Sequence, residues 1–382
     1  RSTLFPYTTL FRSSSGFSKY DSVGLAQMYS PWFSNMPGNN DPNYWNYKND
    51  YIDSITKKIY VGDFNSAEER SSLIEKATIE GVNESVRIFL ASKTDQFVAS
   101  NDIDGVINAL GAGITTRFTP INVISDSEPL VVGVKQIYQG SWNPIGGFSD
   151  TYSNQVWLNL YDPAAFSHPY TGETIPVRTE WQVENFGNQE KILVPNDAIT
   201  WDIGSQSWKK VGANQEATSK VTFDLILGNW HHEQSMDMND ILHSIYFLLE
   251  WGSERHEGDK TYDSIYSPQA VQNAKTLIGI KPIDDDTIEV YVDYWHFDEA
   301  EIASWVTPWS SMPWELMVSM EQAVIDGKIS FSRSGAVSKS VNWLSLIVPN
   351  DAEVIKQYLI DFKQSGYVPP SLQGLQYDWQ YF

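Results

Sequence analysis

The sequence predicts an α/β protein, because strand patterns, capped amphipathic helices and a hairpin signal follow one another along one chain. The clearest strand has apolar residues at alternate positions, namely Val221, Phe223, Leu225 and Leu227. Such a period of two is typical of a half-buried strand. With 382 residues and 41% hydrophobic content, the chain is long and apolar enough to bury a sizeable core.

A helix is predicted after the break at Gly228. Asp237 stands where an N-cap is expected and Asp240 follows three residues later, so both carboxylates suit the free amides and positive end of a helix. Its apolar stripe consists of Ile241, Leu242, Ile245, Leu248 and Leu249. The same pattern predicts that His243, Ser244 and Glu250 face outward.

Two elements are predicted in the first quarter of the chain. Ser66 and Glu69 have the spacing of a capping box, so a helix is expected over 66–80, ended by Gly81. Its buried stripe would be Leu73, Ile74 and Ala77. A strand is predicted next, because Val86, Ile88 and Leu90 alternate with other side chains.

Further elements follow in the middle and last parts of the chain. A short apolar strand is expected over 130–134, a turn over 142–144 and a helix over 152–161. A short helix is expected over 267–274, followed by a hairpin of strands 278–283 and 287–292 around a solvated turn of three aspartates. Asn350 is predicted to open the last helix.

The composition of the chain excludes several classes of function. The chain has 26 basic and 48 acidic side chains and a net charge of −22, so its surface would repel phosphate backbones and no nucleic-acid partner is expected. The absence of cysteine removes disulfides, thiolate metal sites and thiol catalysis. Aromatic residues are numerous, with 15 Trp, 20 Tyr and 17 Phe, and their rings can stack on peptides or sugars.

Residues 1–13, RSTLFPYTTLFRS, look like a translated sequencing adapter and are left out of fold reasoning. We therefore expect that the true amino terminus is missing, together with any signal peptide or membrane anchor. No apolar run of about 18 residues, the length that spans a membrane, occurs in the sequence.

The segment from the predicted strand at 221–227 to the helix after Asp237 resembles a known family. Its residues fit a pattern of strand, Trp-His pair, polar turn and helix, at Thr222, Phe223, Leu225, Gly228, Trp230, His231, Asp240 and Ile241. On these residues the chain resembles the family 5 extracytoplasmic solute-binding proteins of ABC importers, which include dipeptide, oligopeptide and nickel binders. It departs from that pattern because Leu227 and Asn229 replace basic residues, and Glu233-Gln234 replaces Asp-Gly.

The resemblance implies a two-lobed α/β fold of the periplasmic-binding-protein-like class II, with mixed sheets flanked by helices, here incomplete. Residues 14–125 resemble a carboxyl-terminal segment of such a module and residues 126–382 a truncated amino-terminal lobe. A tandem of modules or one reordered module would explain this order. The implied partners are a small-molecule or peptide ligand and the importer's permease subunits. The implied location is extracytoplasmic, in the periplasm or at the cell surface, with any anchor on a missing terminus.

The resemblance also implies ligand-binding residues and no catalytic residue, metal or cofactor. They are Gly146, Gly147, Phe148, Ser149, Asp150, Trp230 and His231. A plain turn is an equal interpretation of the two glycines. His231, His232 and Glu233 could be metal ligands, but adjacent residues on a turn seldom point at one ion, so a structural turn is favoured.

Two other functions stay open at this point. The tryptophans could form sugar platforms of a secreted carbohydrate-active enzyme or a carbohydrate-binding surface protein. An adhesion or scaffold module without a small ligand is the third alternative, and no G-x-S-x-G esterase motif is present.

Overall fold

The structure is a computed structural model. It describes residues 18–30, 32–33, 47–85, 88, 90–91, 96–109, 112–125, 131–133, 142–148, 150–263 and 268–374. The proposed adapter, Ser149 and parts of the two predicted strands at 86–90 and 130–134 lie outside these residues.

The first part of the chain is mainly helical. Its elements are α1 (Gly24–Tyr29), α2 (Asp50–Val61), α3 (Ala67–Asn83), β1 (Ile103–Asp104), α4 (Phe118–Asn122) and β2 (Ile124–Ser125). The predicted cap of α3 is confirmed, since the Ser66 hydroxyl accepts from the Glu69 amide. The helix continues past Gly81, which is needed for packing because a Cβ there would lie 2.7 Å from the Tyr29 ring.

The strand predicted at 86–90 is wrong for the residues described there. Ile88 and Leu90 lie outside any strand and are 76% and 90% exposed. Residues 131–133, from the second apolar run, are also exposed and outside any strand. Apolar alternation forms a strand only where a neighbouring strand satisfies the backbone, and these described residues have none.

The middle part begins with two small hairpins around a helix. Its elements are β3 (Trp142–Asn143), β4 (Gly147–Phe148), α5 (Thr151–Leu160), β5 (Ala165–Ser167) and β6 (Thr174–Pro176). The predicted helix is confirmed, with Asp150 as the N-cap of α5. The turn predicted over 142–144 lies later, because residues 142 and 143 form β3 and the turn occupies 144–146.

A six-stranded sheet is the centre of the molecule. The next elements are β7 (Thr179–Asn185), β8 (Ile192–Leu193), β9 (Ile199–Asp202), β10 (Ser207–Lys210), β11 (Glu216–Ala217), β12 (Ser219–Leu225), α6 (Met238–Trp251), α7 (Pro268–Thr276), β13 (Leu277–Pro282) and β14 (Thr287–Val292). The strand order is β10-β9-β13-β14-β12-β7, and every pairing is antiparallel. The predicted hairpin is confirmed, with Asp284 accepting from two turn amides.

The last part adds helices around the sheet. Its elements are α8 (Glu299–Val306), α9 (Trp314–Ile325), β15 (Ile329–Ser330), α10 (Arg333–Lys339), β16 (Asn342–Trp343), α11 (Pro349–Ser365) and a 3₁₀ turn (Pro370–Leu372). The last helix begins one residue before the predicted Asn350, with Pro349 in its first turn, where proline suits a helix.

At strand β12, one face of the sheet is apolar and the other is polar. Val221 and Phe223 are fully buried and Leu225 nearly so, in one core cluster with α6 and α9, as the alternation predicts. On the other face, the Lys220 ammonium lies 2.6 Å from Glu184 on β7 and 2.9 Å from Glu289 on β14. The protein is thus a mixed α/β structure with sheets flanked by helices.

The orientation predicted for α6 is only partly correct. The capping box of Asp237 and Asp240 is confirmed, and Ile241 and Ile245 are buried. His243 and Glu250 were expected to face outward, but each is 1% exposed, so that expectation is wrong. Helix α9, the 3₁₀ turn and the loop near residue 261 cover this side of α6. His243 contacts Glu321 on α9 and shares a hydrogen bond with Ser371, and Glu250 accepts one from Thr261.

Candidate functional site

Four of the predicted ligand-binding residues lie on the hairpin of β3 and β4 and at the start of α5. They are Gly146, Gly147, Phe148 and Asp150. Gly146 is needed by the chain itself, because a Cβ there would lie 1.8 Å from the Phe331 carbonyl oxygen. Gly147 has a φ of 93° and open space beside it. Phe148 packs edge-on against Trp142, with ring centroids 5.6 Å apart. Asp150 uses both carboxylate oxygens on Ser153, accepting from its amide and its hydroxyl.

The other two predicted residues lie on the turn between β12 and α6. Trp230 is partly buried against the main core, and its amide donates to the Gln234 carbonyl at 2.8 Å. His231 is exposed. Glu233 has a φ of 69° and its amide closes the turn onto Trp230. The turn geometry is therefore fixed by backbone hydrogen bonds.

A cavity of about 300 Å³ lies between α6 and α8, above strands β13 and β14. Its wall combines apolar and polar surface, and none of the described residues that line it is charged. The lining residues are Ser244, Ile245, Leu248, Asn273, Leu277, Ile280, Val290, Ser304, Trp305, Val306, Thr307, Pro308 and Trp309. None of the described ligand-binding residues predicted from the resemblance is among them.

The cavity exists because two helices present small or short side chains to each other across the sheet. On α6, Ser244 and Leu248 are four residues apart and so lie on one face of the helix. On α8, Ser304 faces the same space, and Pro308 follows soon after the helix ends at Val306. The short side chains of Ser244 and Ser304 leave part of the space between the two helices unfilled.

Trp305 is a rigid wall of the cavity. Its ring stacks on Tyr294 with centroids 4.3 Å apart and an angle of 4° between planes, and its Nε1 donates to Thr276 at 2.9 Å. Tyr60 on α2 packs edge-on against the same ring and donates its hydroxyl to Asn273 at 3.1 Å. The amino-terminal helices therefore help to hold two of the lining residues in place.

Trp309 forms the rim, together with one ion pair. Its Nε1 donates to the Asp162 carbonyl at 2.6 Å, and the Arg178 guanidinium lies over its ring, 5.6 Å from the centroid. Arg178 Nε is 3.3 Å from the Asp162 carboxylate. A Cβ on Gly228 would lie 2.6 Å from the Arg178 guanidinium. Arg178 thus links the rim of the cavity to the turn on which Trp230 lies.

A set of buried charged side chains lies on the other side of α6. His243 Nε2 is 2.9 Å from Glu321 on α9, whose second oxygen accepts from Tyr246 and Trp251. Burial and the Glu321 charge raise the pKa of Tyr246 well above its usual value. Nearby, Glu250 accepts from Trp201, Gln206 and Thr261 at 2.6 to 3.0 Å. Both oxygens of Glu250 and one oxygen of Glu321 accept hydrogen bonds within the protein, and the other Glu321 oxygen has only the 2.9 Å contact with His243.

Asp240 is a buried acid at the start of α6. Burial raises the pKa of its carboxyl to about 7. The carboxylate accepts from the Asp237 and Trp314 amides at 3.1 and 2.9 Å, so it joins the first turns of α6 and α9. It does not line the cavity, so its role is to fix helices rather than to act on a solute.

Neither metal-binding nor membrane-spanning features are found in the described part of the chain. No group of three or more His, Asp or Glu side chains there could hold a metal ion. No described helix combines the length and apolar character needed to cross a bilayer.

Comparison with known proteins gives no relative for this chain. A scan against models of protein families gives no match, and a search of curated proteins gives none.

Sequence reasoning missed the cavity and its rim. It assigned no ligand-binding role to Trp305, Pro308, Trp309 or Arg178. The available signal was the density of tryptophans directly after an amphipathic helix. Some partners of these residues lie far away in sequence, for example Asp162, which is 147 positions from Trp309.

Proposed function

We propose that the protein binds a small solute in the cavity between α6 and α8 and performs no chemistry on it. The observation that carries this proposal is an uncharged, tryptophan-walled cavity in a protein of net charge −22. Small-molecule sites are typically concave, mainly apolar and supplied with a few placed polar groups. Ser244, Asn273 and Thr307 would be those polar groups.

The cavity favours one chemical class of solute. A volume of about 300 Å³ is at the lower end for ligand sites, so it suits one aromatic or branched aliphatic group with a polar handle. A short peptide with an apolar side chain meets this description. Burying such a side chain would contribute roughly 1.5–3 kcal/mol.

The wider role we infer is delivery of the solute to an ABC importer from an extracytoplasmic location. It is supported by the family 5 pattern, whose Phe223, Leu225 and Asp240 are buried where a strand, turn and capped helix require them. Leu227 and Asn229 replace basic residues of that pattern, and these two departures concern the type of ligand. Under this proposal the fold is a two-lobed class II module, and hinge closure over the solute would provide the signal to the permease.

A carbohydrate ligand is the second candidate. It is favoured by Trp309, a partly exposed ring at the rim. Trp305 is less suited to a sugar platform, because one of its faces is covered by Tyr294.

Isothermal titration against di- and tripeptides and against oligosaccharides tests the proposal. We expect saturable binding of peptides with an apolar side chain and no turnover. Ser304→Trp, which fills the cavity from α8, should abolish this binding. Ser338→Trp, the same change on the exposed part of α10, is the matched control and should leave it intact. Equal binding by both variants would place the solute elsewhere, and release of reducing sugar would favour the enzyme alternative.

A further inference from the structure

Within the described ranges of the chain, Arg117 is a buried cation without an acidic partner. It is 7% exposed and lies just before α4, with its guanidinium over the Phe166 ring at 5.2 Å and the Tyr161 ring at 5.6 Å. The hydrogen bond that its guanidinium donates to the Tyr161 carbonyl is long, at 3.4 Å. Among the described residues, no carboxylate lies within ion-pair distance of Arg117, and its Nε has no partner.

Burial of this kind is costly. It lowers the pKa of the Arg117 guanidinium, while Tyr161 and Asp162 act in the opposite direction. Buried charges in proteins are normally paired, and an unpaired buried donor usually indicates a partner that completes the site. The Thr116 hydroxyl, 2% exposed, also has no partner among the described residues.

A second arginine, Arg178 between β6 and β7, approaches the same short segment. Its guanidinium contacts the Asp162 carboxylate, whereas Arg117 contacts the carbonyl of the residue before Asp162. The Asp162 side chain is 58% exposed, and its charge raises the pKa of Arg117 from beyond ion-pair distance. Two positive charges therefore lie near one accessible carboxylate, and the second of them matches one negative charge on a ligand.

We propose that Arg117 and Arg178 form a site for a carboxylate group of the bound solute. The proposal rests on the function proposed above, because Trp309 belongs both to the cavity and to the surroundings of Arg178. The planar guanidinium forms paired, charge-assisted hydrogen bonds to a carboxylate. The solute would place its apolar group in the cavity and its carboxylate at the rim, where it competes with Asp162.

Titration calorimetry with three probes tests this site. The probes are phenylacetate, its neutral amide phenylacetamide, and acetate, which lacks the ring. We expect phenylacetate to bind at least about tenfold more tightly than phenylacetamide, since a charge-assisted hydrogen bond is stronger than a neutral one. Arg117→Gln and Arg178→Gln should each reduce this ratio below about threefold. Asp162→Asn should tighten phenylacetate binding, because a competing carboxylate is removed.

Arg70→Gln is the matched control. Arg70 is also 7% exposed, lies over the Tyr20 ring and donates to the Asp21 carbonyl, so its loss tests the general effect of removing a buried arginine. This variant should keep the affinity ratio between phenylacetate and phenylacetamide unchanged. Circular dichroism establishes that each variant folds, and Asp162→Asn gives a result even if Arg117→Gln does not fold.

The outcomes separate the two proposals. Equal binding of phenylacetate and phenylacetamide, without acetate binding, overturns the carboxylate site and supports the cavity. Acetate binding that Arg117→Gln abolishes, with no gain from the ring, supports the carboxylate site and overturns the cavity. No binding by any probe overturns both.

Discussion

One side of α6 faces a cavity, and its other side faces a sealed set of charged groups. On the cavity side, Ser244 and Leu248 leave space, and none of the described residues that line the wall is charged. On the sealed side, His243 and Glu250 are buried and bonded to partners within the protein. The difference teaches that buried charge alone does not mark a binding site. A site needs accessible volume and groups whose partners are incomplete.

The largest effect is expected from Asp240, which lies at the start of α6 on the sealed side. Its folded pKa of about 7 is raised from an unfolded value of about 3.9. The folded state thus keeps a proton that the unfolded state loses. The stabilising contribution is full below about pH 4 and lost as the pH rises through 7, by up to about 4 kcal/mol.

Urea unfolding of the native protein and Asp240→Asn at pH 4, 5.5 and 7.5 measures this contribution. The stability difference between the two proteins should shift by that amount across the series. The buried His296 has a lowered pKa of about 4 and acts in the opposite sense, but it is common to both proteins and cancels. An unchanged difference would contradict the protonation state assigned to Asp240.

His243→Leu should destabilise the protein by about 3 kcal/mol, because one oxygen of the buried Glu321 loses its partner. The matched control is His256→Leu, at an exposed position, with an expected change below about 0.5 kcal/mol. Denaturant unfolding at pH 7.5 gives both values. Similar stability of the two variants would show that the sealed side is not held together by this pair.

Filling the cavity side should have the smallest effect on stability. Ser304→Trp enters existing space on α8, and we expect a change in unfolding free energy below about 1 kcal/mol. Ala303→Trp, one residue earlier and fully buried, should cost about 2 kcal/mol or more by overpacking. If thermal and urea unfolding showed equal losses for both, the space between α6 and α8 would be closed in solution.

Local sequence patterns were sufficient to predict much of the fold. The alternation of β12, the Ser66 cap of α3, the capping box of α6 and the β13–β14 hairpin depend on neighbouring residues, and all are confirmed. The box predicted at α3 is only half formed, because Glu69 accepts from the Asn65 amide instead of the Ser66 amide. The prediction of a strand over 86–90 is wrong for Ile88 and Leu90, because a strand depends on a partner strand that the pattern does not encode.

The site could not be predicted in the same way. A helical pattern placed His243 outward because it is polar, but Glu321 covers it from 78 positions away in sequence. The rim likewise brings Asp162, Arg178 and Trp309 together from three separate segments. The predicted residues Gly146 and Asp150 instead have partners within the chain, and their role in ligand binding stays a prediction.

A crystal structure of the complex with the tightest-binding solute tests the central claim most directly. The account predicts that the solute's apolar group lies between α6 and α8, in contact with Trp305 and Trp309. A solute bound elsewhere, with the cavity empty and the two helices unchanged, would contradict it.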